Sequence, residues 1–265
     1  MATDPAYPPQ SFLVKSAKRR ATTKCADNQF TGNQISGYDA DVSKLVAKRL
    51  GAEACFVAPT WLQMIGGHWA DRWDIAFASI GINRDRMHNL FYTQPYSAQA
   101  ERFFVRKTST YRTVGQLSGK RLGGCGGCFA EFFIKGTLDA PGQKLKFPVK
   151  HATFVSYNVE RNGLAAVAQG RLDGFLCGVA VGAKAIKEGF PLRSLGNDQY
   201  LAFLSGAVDR FSGYSQAAFT TKVNAIIRQL QAQGTLRRLS IHYFNTDFAT
   251  GARPFDLSAL AQHIP

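Results

Sequence analysis

Between Gly37 and Gly81 the chain switches repeatedly between two hydrophobic periods, and this alternation restricts the fold more than any other feature of the 265 residues. Val42, Leu45, Val46 and Leu50 recur at helical spacing, with Lys44, Lys48 and Arg49 on the opposite face, and Gly51 closes the helix. Ala54–Ala58 reads as a strand, Trp61–Trp69 as a second helix, and Asp74–Ile80 as a short apolar strand closed by Gly81. Helix, strand, helix, strand in this order predicts an α/β fold with a parallel sheet and crossover helices. Asn83 then stands where a helical turn carrying Arg84 and Arg86 needs an N-cap.

A second α/β set follows a strand at Glu101–Lys107. It comprises a strand at Arg121–Gly124, a glycine-rich turn at Gly123–Gly127 and a helix at Phe129–Lys135. A helix at Asn162–Gln169, a strand at Leu172–Cys177 and a helix at Val179–Glu188 complete it. Beyond a strand at Leu201–Val208, Phe219, Val223, Ile226, Ile227 and Leu230 mark one face of a long helix, and Leu236–Phe244 forms a shorter one. The chain contains no repeat and no low-complexity tract, and the tail after Thr246 carries no periodic pattern.

Hydrophobic residues make up 45% of the chain and charged residues 19%, enough apolar surface for a buried core. No apolar run approaches the roughly 20 residues that span a bilayer. Met1-Ala2-Thr3-Asp4-Pro5 has neither a basic start nor an apolar stretch, which admits either a cytoplasmic chain or a mature one with an added start methionine. The formal charge is +14, from 32 Lys+Arg against 18 Asp+Glu. The positive residues are scattered, apart from short clusters at Lys15–Arg20, Lys144–Lys150 and Arg237-Arg238. No zinc-finger spacing, basic zipper or ribonucleoprotein motif accompanies them, so the charge reads as a basic surface without a nucleic-acid partner. Five cysteines leave at least one unpaired within a monomer. Cys125-Gly126-Gly127-Cys128 admits three roles: small residues lining a strand end, a disulfide with Cys177 or a neighbour, or a redox or metal pair at a helix start.

The order and spacing of several motifs resemble the polar amino-acid and opine branch of the periplasmic solute-binding proteins, the receptors of ABC importers. The first motifs are Thr3-Asp4-Pro5-Ala6-Tyr7-Pro8-Pro9, Gly37-Tyr38-Asp39-Ala40-Asp41-Val42, Pro59-Thr60-Trp61 and Trp73-Asp74-Ile75. Ile82-Asn83-Arg84-Asp85-Arg86 and Phe91-Tyr92-Thr93-Gln94-Pro95-Tyr96 follow. Leu117-Ser118-Gly119-Lys120, Gln169-Gly170-Arg171-Leu172-Asp173 and Gln233-Gly234-Thr235-Leu236 carry the resemblance to about Phe244. It implies a type II two-lobed fold, with residues 1–99 plus 201–265 in lobe one and 100–200 in lobe two. Two crossovers, near Ala98–Arg102 and Gln199–Ala202, would act as hinges for closure on a ligand. The implied molecule is an extracytoplasmic monomer that binds a small carboxylate-bearing solute and hands it to a membrane permease, with no catalytic residue, metal or cofactor. Two features depart from the pattern. Only Met1-Ala2 precede the first motif where a strand is usual, and an insertion, Phe12–Ser36, follows it.

The resemblance also implies the site. Arg86 would grip the ligand carboxylate, because a planar guanidinium donates two parallel hydrogen bonds, while Arg84 would lie at the surface. Tyr7 and Trp61 would form aromatic walls. Ser79 would offer a backbone or hydroxyl contact, with Ala78 and Gly81 beside it. In lobe two the usual hydroxyl pair is replaced by Cys128-Phe129, leaving the backbone N–H groups of that helix start. The aspartate that usually meets the ligand ammonium is replaced by Gly178, which implies a ligand that lacks an α-ammonium, carries it elsewhere or meets another carboxylate such as Glu131 or Asp198. A derivative, an opine-like conjugate or a non-amino organic acid is thus implied rather than an ordinary amino acid. Glycines at 81, 126, 127 and 178 predict a roomy cleft. The rival readings are an enzyme like the cyclohexadienyl dehydratases of the same fold and a ligand-sensing module of a receptor. The first needs a proton carrier in the cleft, and His68, His88, His151, His242 and His263 all lie off the cleft motifs.

Overall fold

A computed structural model describes residues 1–260; His263 lies outside them. The chain divides into two compact units, Met1–Ala98 with the C-terminal part from Phe203, and Gln99–Ala202.

In the first unit β1 (Ala6–Tyr7) and β2 (Ser11–Leu13) form an antiparallel hairpin. The insertion supplies β3 (Phe30–Thr31) and β4 (Ile35–Ser36), and β4 pairs with β2. Helix α1 (Tyr38–Arg49) follows without a side-chain cap. Instead the Tyr38 and Asp39 N–H groups donate to Pro9 O and Gln10 O at 3.1 and 2.8 Å, so hairpin carbonyls satisfy the open helix start. Gly37 makes this possible: its φ is 119°, and a Cβ there would stand 2.4 Å from Gln10 O.

Strand β5 (Cys55–Phe56) pairs with β3, and Cys25 is disulfide-bonded to Cys55. Arg19 donates to the carbonyls of Cys25, Ala26 and Gln29, while Glu53 accepts from Thr23 Oγ1 and Lys24 N. These contacts account for the insertion: it is tied to the strand that follows α1. Helix α2 (Trp61–Ile65) is shorter than the predicted Trp61–Trp69. Its start has a capping box between Thr60 and Gln63, but Gly66-Gly67 ends it, and His68, Ala70 and Asp71 all adopt positive φ.

Strands β6 (Ala76–Gly81) and β7 (Leu90–Tyr92) complete the N-terminal part of this unit. The usual first strand is reduced to residues 1–3. Ala2 bridges Val57 and Ala76 in parallel, with Ala2 N donating to Ile75 O at 2.8 Å and Phe77 N to Ala2 O at 2.9 Å. Strand β8 (Ser97–Arg106) then leads into the second unit. There β9 (Arg121–Gly124), α3 (Phe129–Lys135), β10 (Thr153–Ser156), α4 (Glu160–Ala168), β11 (Gly174–Gly178) and α5 (Val179–Lys187) follow in order. The strand order is β10-β9-β11-β8, parallel except for the antiparallel β8. Helix α4 approaches β11, and helix α5 approaches β8, through glycine. A Cβ on Gly163 of α4 or Gly182 of α5 would lie 2.0 Å from the ring of Phe175 or Phe104.

Strand β12 (Leu192–Asp209) returns to the first unit, where it pairs antiparallel with β6 and β7. The parallel sheet predicted for residues 37–81 is therefore confined to the Ala2 bridges; the longer ladder there is antiparallel, because a distant strand supplies it. Helix α6 (Gln216–Ala232) buries Val223, Ile226, Ile227 and Leu230, and α7 (Thr235–Phe244) buries Leu236. Trp69, Trp73, Ile80, Tyr92 and Ala207 form the centre of this unit's core.

Beside that core, Asp39 is enclosed, at 1% exposure. Its Oδ2 accepts from Ser79 Oγ and its Oδ1 from Tyr96 OH, both at 2.8 Å. Tyr96 OH in turn accepts from Ser79 N at 3.2 Å. Desolvation outweighs these hydrogen bonds and pushes the Asp39 pKa up to about 7.

Two measurements follow from this architecture. Replacing Cys25 and Cys55 together by Ser opens a crosslink spanning 30 residues, and urea unfolding should show a loss of about 3 kcal/mol. A carboxyl whose folded pKa lies above its unfolded value stabilises fully below pH 4 and loses that contribution as pH rises to 7. Relative to Asp39→Asn, the wild-type protein should therefore gain stability between pH 8 and pH 5, by up to about 1.4 kcal/mol per unit of pKa difference. Parallel stability–pH curves for the two proteins would remove Asp39 as the titrating group.

Candidate functional site

In the first unit, β6 and the turn after it hold the predicted carboxylate grip. Asn83 Oδ1 accepts from Asp85 N at 2.7 Å and fixes the start of the 3-10 turn Asp85–His88. That turn exposes Arg84 and buries Arg86, which is 7% exposed. Arg86 Nη1 donates to Gly81 O at 3.3 Å, and its guanidinium lies 5.3 Å from the Trp61 ring centroid. Burial lowers its pKa, and the neighbouring Tyr92 hydroxyl raises it. Gly81, Arg86 and Trp61 thus meet. The Trp61 indole N–H is enclosed and has no hydrogen-bond partner among the described residues.

The other predicted residues of this unit divide. Ser79, with φ of 52°, turns both of its donors inward, the hydroxyl to Asp39 and the N–H to Tyr96. The expectation that these donors face a ligand gives way to an internal role, because the buried Asp39 carboxyl needs them. The Ala78 methyl belongs to the core cluster with Trp69 and Ile80. Tyr7 is half-buried on β1, opposite Ser11.

In the second unit, Cys125 pairs with Cys128 and leaves Cys177 as a buried free thiol. A Cys177 disulfide is thereby excluded. The N–H groups of the turn are also engaged: Gly127 N donates to Glu131 Oε2 at 2.7 Å, and Cys128 N to Cys125 O at 3.4 Å. Two of the backbone donors expected to remain available are thus committed locally. Phe129 is 7% exposed and packs on Tyr200 with ring centroids 5.9 Å apart.

Neither acid proposed in place of Gly178 is free. Glu131 also binds Lys135 Nζ at 2.5 Å, and Asp198 pairs with Arg102 at 2.6 Å. The glycines expected to leave room differ in their surroundings. A Cβ on Gly126 would meet Ser156 Oγ at 2.2 Å, so that glycine serves close packing, whereas a Cβ on Gly178 would find ordinary contacts at 3.6–3.8 Å.

Asp39, Glu101 and Tyr200 went unnoticed in the sequence. Glu101 had a signal: Gln99 and Glu101 stand two residues apart, which at strand period places both on one face of β8. A polar pair on one face of a strand resembles a solvated edge, and only its partner strand reveals otherwise.

The model of the bacterial extracellular solute-binding proteins, family 3, matches residues 23–246. The histidine-binding periplasmic protein of Salmonella typhimurium is 25% identical over 260 residues, covering 95% of this chain and 89% of that protein. The ABC transporter arginine-binding protein 1 of Escherichia coli is 25% identical over 216 residues, covering 80% and 83%. Among solved structures, an ancestral amino acid-binding protein that is a precursor of cyclohexadienyl dehydratase superposes with a TM-score of 0.70. It is 21% identical to this chain, covering 92% of it and 93% of that protein. The type II periplasmic-binding fold is common to them, and a family pattern that spans most of the sequence settles membership. The chain belongs to the bacterial extracellular solute-binding proteins, family 3.

Proposed function

We propose that this protein captures a small carboxylate-bearing solute, an amino acid, amino-acid derivative or opine-like compound, outside the cytoplasm for the permease of an ABC importer. It acts as a monomer, without catalysis and without nucleic acid. The observation that carries this reading is Arg86, a guanidinium buried against Trp61 and directed to a backbone carbonyl at 3.3 Å. Burying a charge in that way is costly, and the cost is offset when a carboxylate docks bidentately. Tyr7 and Trp61 supply flat surfaces for the solute body. The named relatives bind histidine and arginine, which are solutes of this class.

The dehydratase-like reading has one observation in its favour, a half-buried carboxyl at Glu101 whose pKa is raised by burial. Incubation with a cyclohexadienyl carboxylate separates the two: turnover that depends on Glu101 would establish an enzyme, and we expect none.

A thermal-shift panel of the twenty amino acids with opine derivatives identifies the solute, since saturation at a hundredfold excess over Kd adds about 2.7 kcal/mol. Calorimetry with that solute should show Arg86→Ala losing about 2–5 kcal/mol of binding, and Arg86→Lys recovering little because the planar fork is gone. Unchanged affinity in Arg86→Ala would sink the assignment.

A further inference from the structure

Cations gather at one end of the second unit's sheet. Between positions 99 and 202 the chain carries 15 Lys and Arg against 7 Asp and Glu, more than half of its excess charge. The ladders fix where many of them fall. Strands β9, β10 and β11 run parallel, and β8 runs antiparallel to β11. The end of β8 at Arg106 therefore stands beside the starts of β9 at Arg121 and β11 at Gly174, at the opposite end of the ladder from Gly124 and Gly178. Backbone hydrogen bonds tie the entering loops together: Asp173 N donates to Arg121 O at 2.9 Å, Gly119 N to Lys150 O at 2.8 Å and Lys107 N to Pro191 O at 2.7 Å. The Arg106 guanidinium lies over Gly170, where a Cβ would stand 2.9 Å from Nη1, and so beside Arg171. Arg106, Lys107, Arg112, Arg121, Lys150 and Arg171 are all exposed.

The carboxyls near these cations are already engaged. Asp173 accepts from Tyr111 OH at 2.7 Å and from Arg121 N at 3.1 Å, and Glu188 at the end of α5 pairs with Arg161 at 2.9 Å. The cations are held by their backbones instead. Lys150 N donates to Ser118 Oγ at 3.0 Å and Arg171 N to Ala166 O at 2.8 Å, while Arg193 Nη2 donates to Ser109 O at 3.1 Å and fastens the loop that carries Lys107 and Arg112. Fixed loops thus present charged heads to water. We infer that this face binds the surface of a membrane rich in anionic phospholipid head groups. Six charges arriving on four separate segments form an array, which matches a field of phosphates better than it clamps one small anion. Each cation at such a surface raises affinity by about fivefold. The attraction acts between exposed charges, so it fades as salt shortens the screening distance from about 10 Å at 0.1 M to about 3 Å at 1 M. The inference goes beyond solute capture: it keeps the protein in the plane where the permease proposed above resides, whatever the solute.

Co-sedimentation of the intact protein with vesicles tests this, using phosphatidylcholine alone and equal parts of phosphatidylcholine and phosphatidylglycerol. At about 0.05 M salt we expect binding to the mixed vesicles only, with release at about 0.5 M. The triple variant Lys107→Glu, Lys150→Glu, Arg171→Glu should bind about a hundredfold more weakly. Gln at the same three positions should give a smaller loss in the same direction, a second measure should the reversal impair folding. A matched control, Lys18→Glu, Lys48→Glu, Lys222→Glu, reverses three exposed cations of the first unit and changes net charge equally. It should stay within about threefold of the wild type. Equal losses in the two Glu variants overturn the proposal, because net charge alone would then drive binding. Wild-type binding by the variants at 107, 150 and 171 overturns it too. So does a wild-type protein that sediments with neither vesicle, which leaves an acidic protein as the occupant of this face. Displacement from the vesicles by glycerol phosphate in excess over lipid overturns it in favour of a site for a single anion.

Discussion

In the first unit a carboxyl group is enclosed with no cation beside it among the described residues, and its two hydroxyl donors organise what surrounds it. Asp39 sits in the first turn of α1, Ser79 near the end of β6, and Tyr96 just before β8. A buried carboxyl must keep such donors or lose more than their hydrogen bonds are worth. Ser79 takes a left-handed backbone conformation two residues before Gly81, whose carbonyl accepts from Arg86.

The amphipathic helices were legible because their period is local. Residues 38–49, 129–135 and 216–232 carry apolar faces that need no knowledge of their partners. Pairing across distance was not legible. The strand that covers β6 comes from more than a hundred residues later, and nothing in the local alternation announces that it runs antiparallel. The three-residue remnant before Asp4 is similar: Ala2 looks like a tail in sequence, and only its bridges to Val57 and Ala76 show it as a strand.

The sequence brought Trp61 and Arg86 forward because two motifs, Pro59-Thr60-Trp61 and Ile82-Asn83-Arg84-Asp85-Arg86, carry them. It misjudged the glycines. Gly126 looks like space, but a methyl group there would strike Ser156 Oγ. It also misjudged the acids. Glu131 and Asp198 are engaged by Lys135 and Arg102, whereas Glu101, inconspicuous within a strand, faces the bare Gly178.

The Cys25–Cys55 crosslink has a consequence for biosynthesis. Glutathione and thioredoxin keep such thiols reduced in the cytosol, while oxidants of the secretory or periplasmic route close them. Chain made in a reducing cell interior would acquire its helices and its grip on Arg86 with the insertion still unfastened. The same chain matured outside would carry that segment locked to β5. Two preparations of one sequence would then differ in covalent structure, and proteolysis confined to residues 12–36 would tell which compartment each came from.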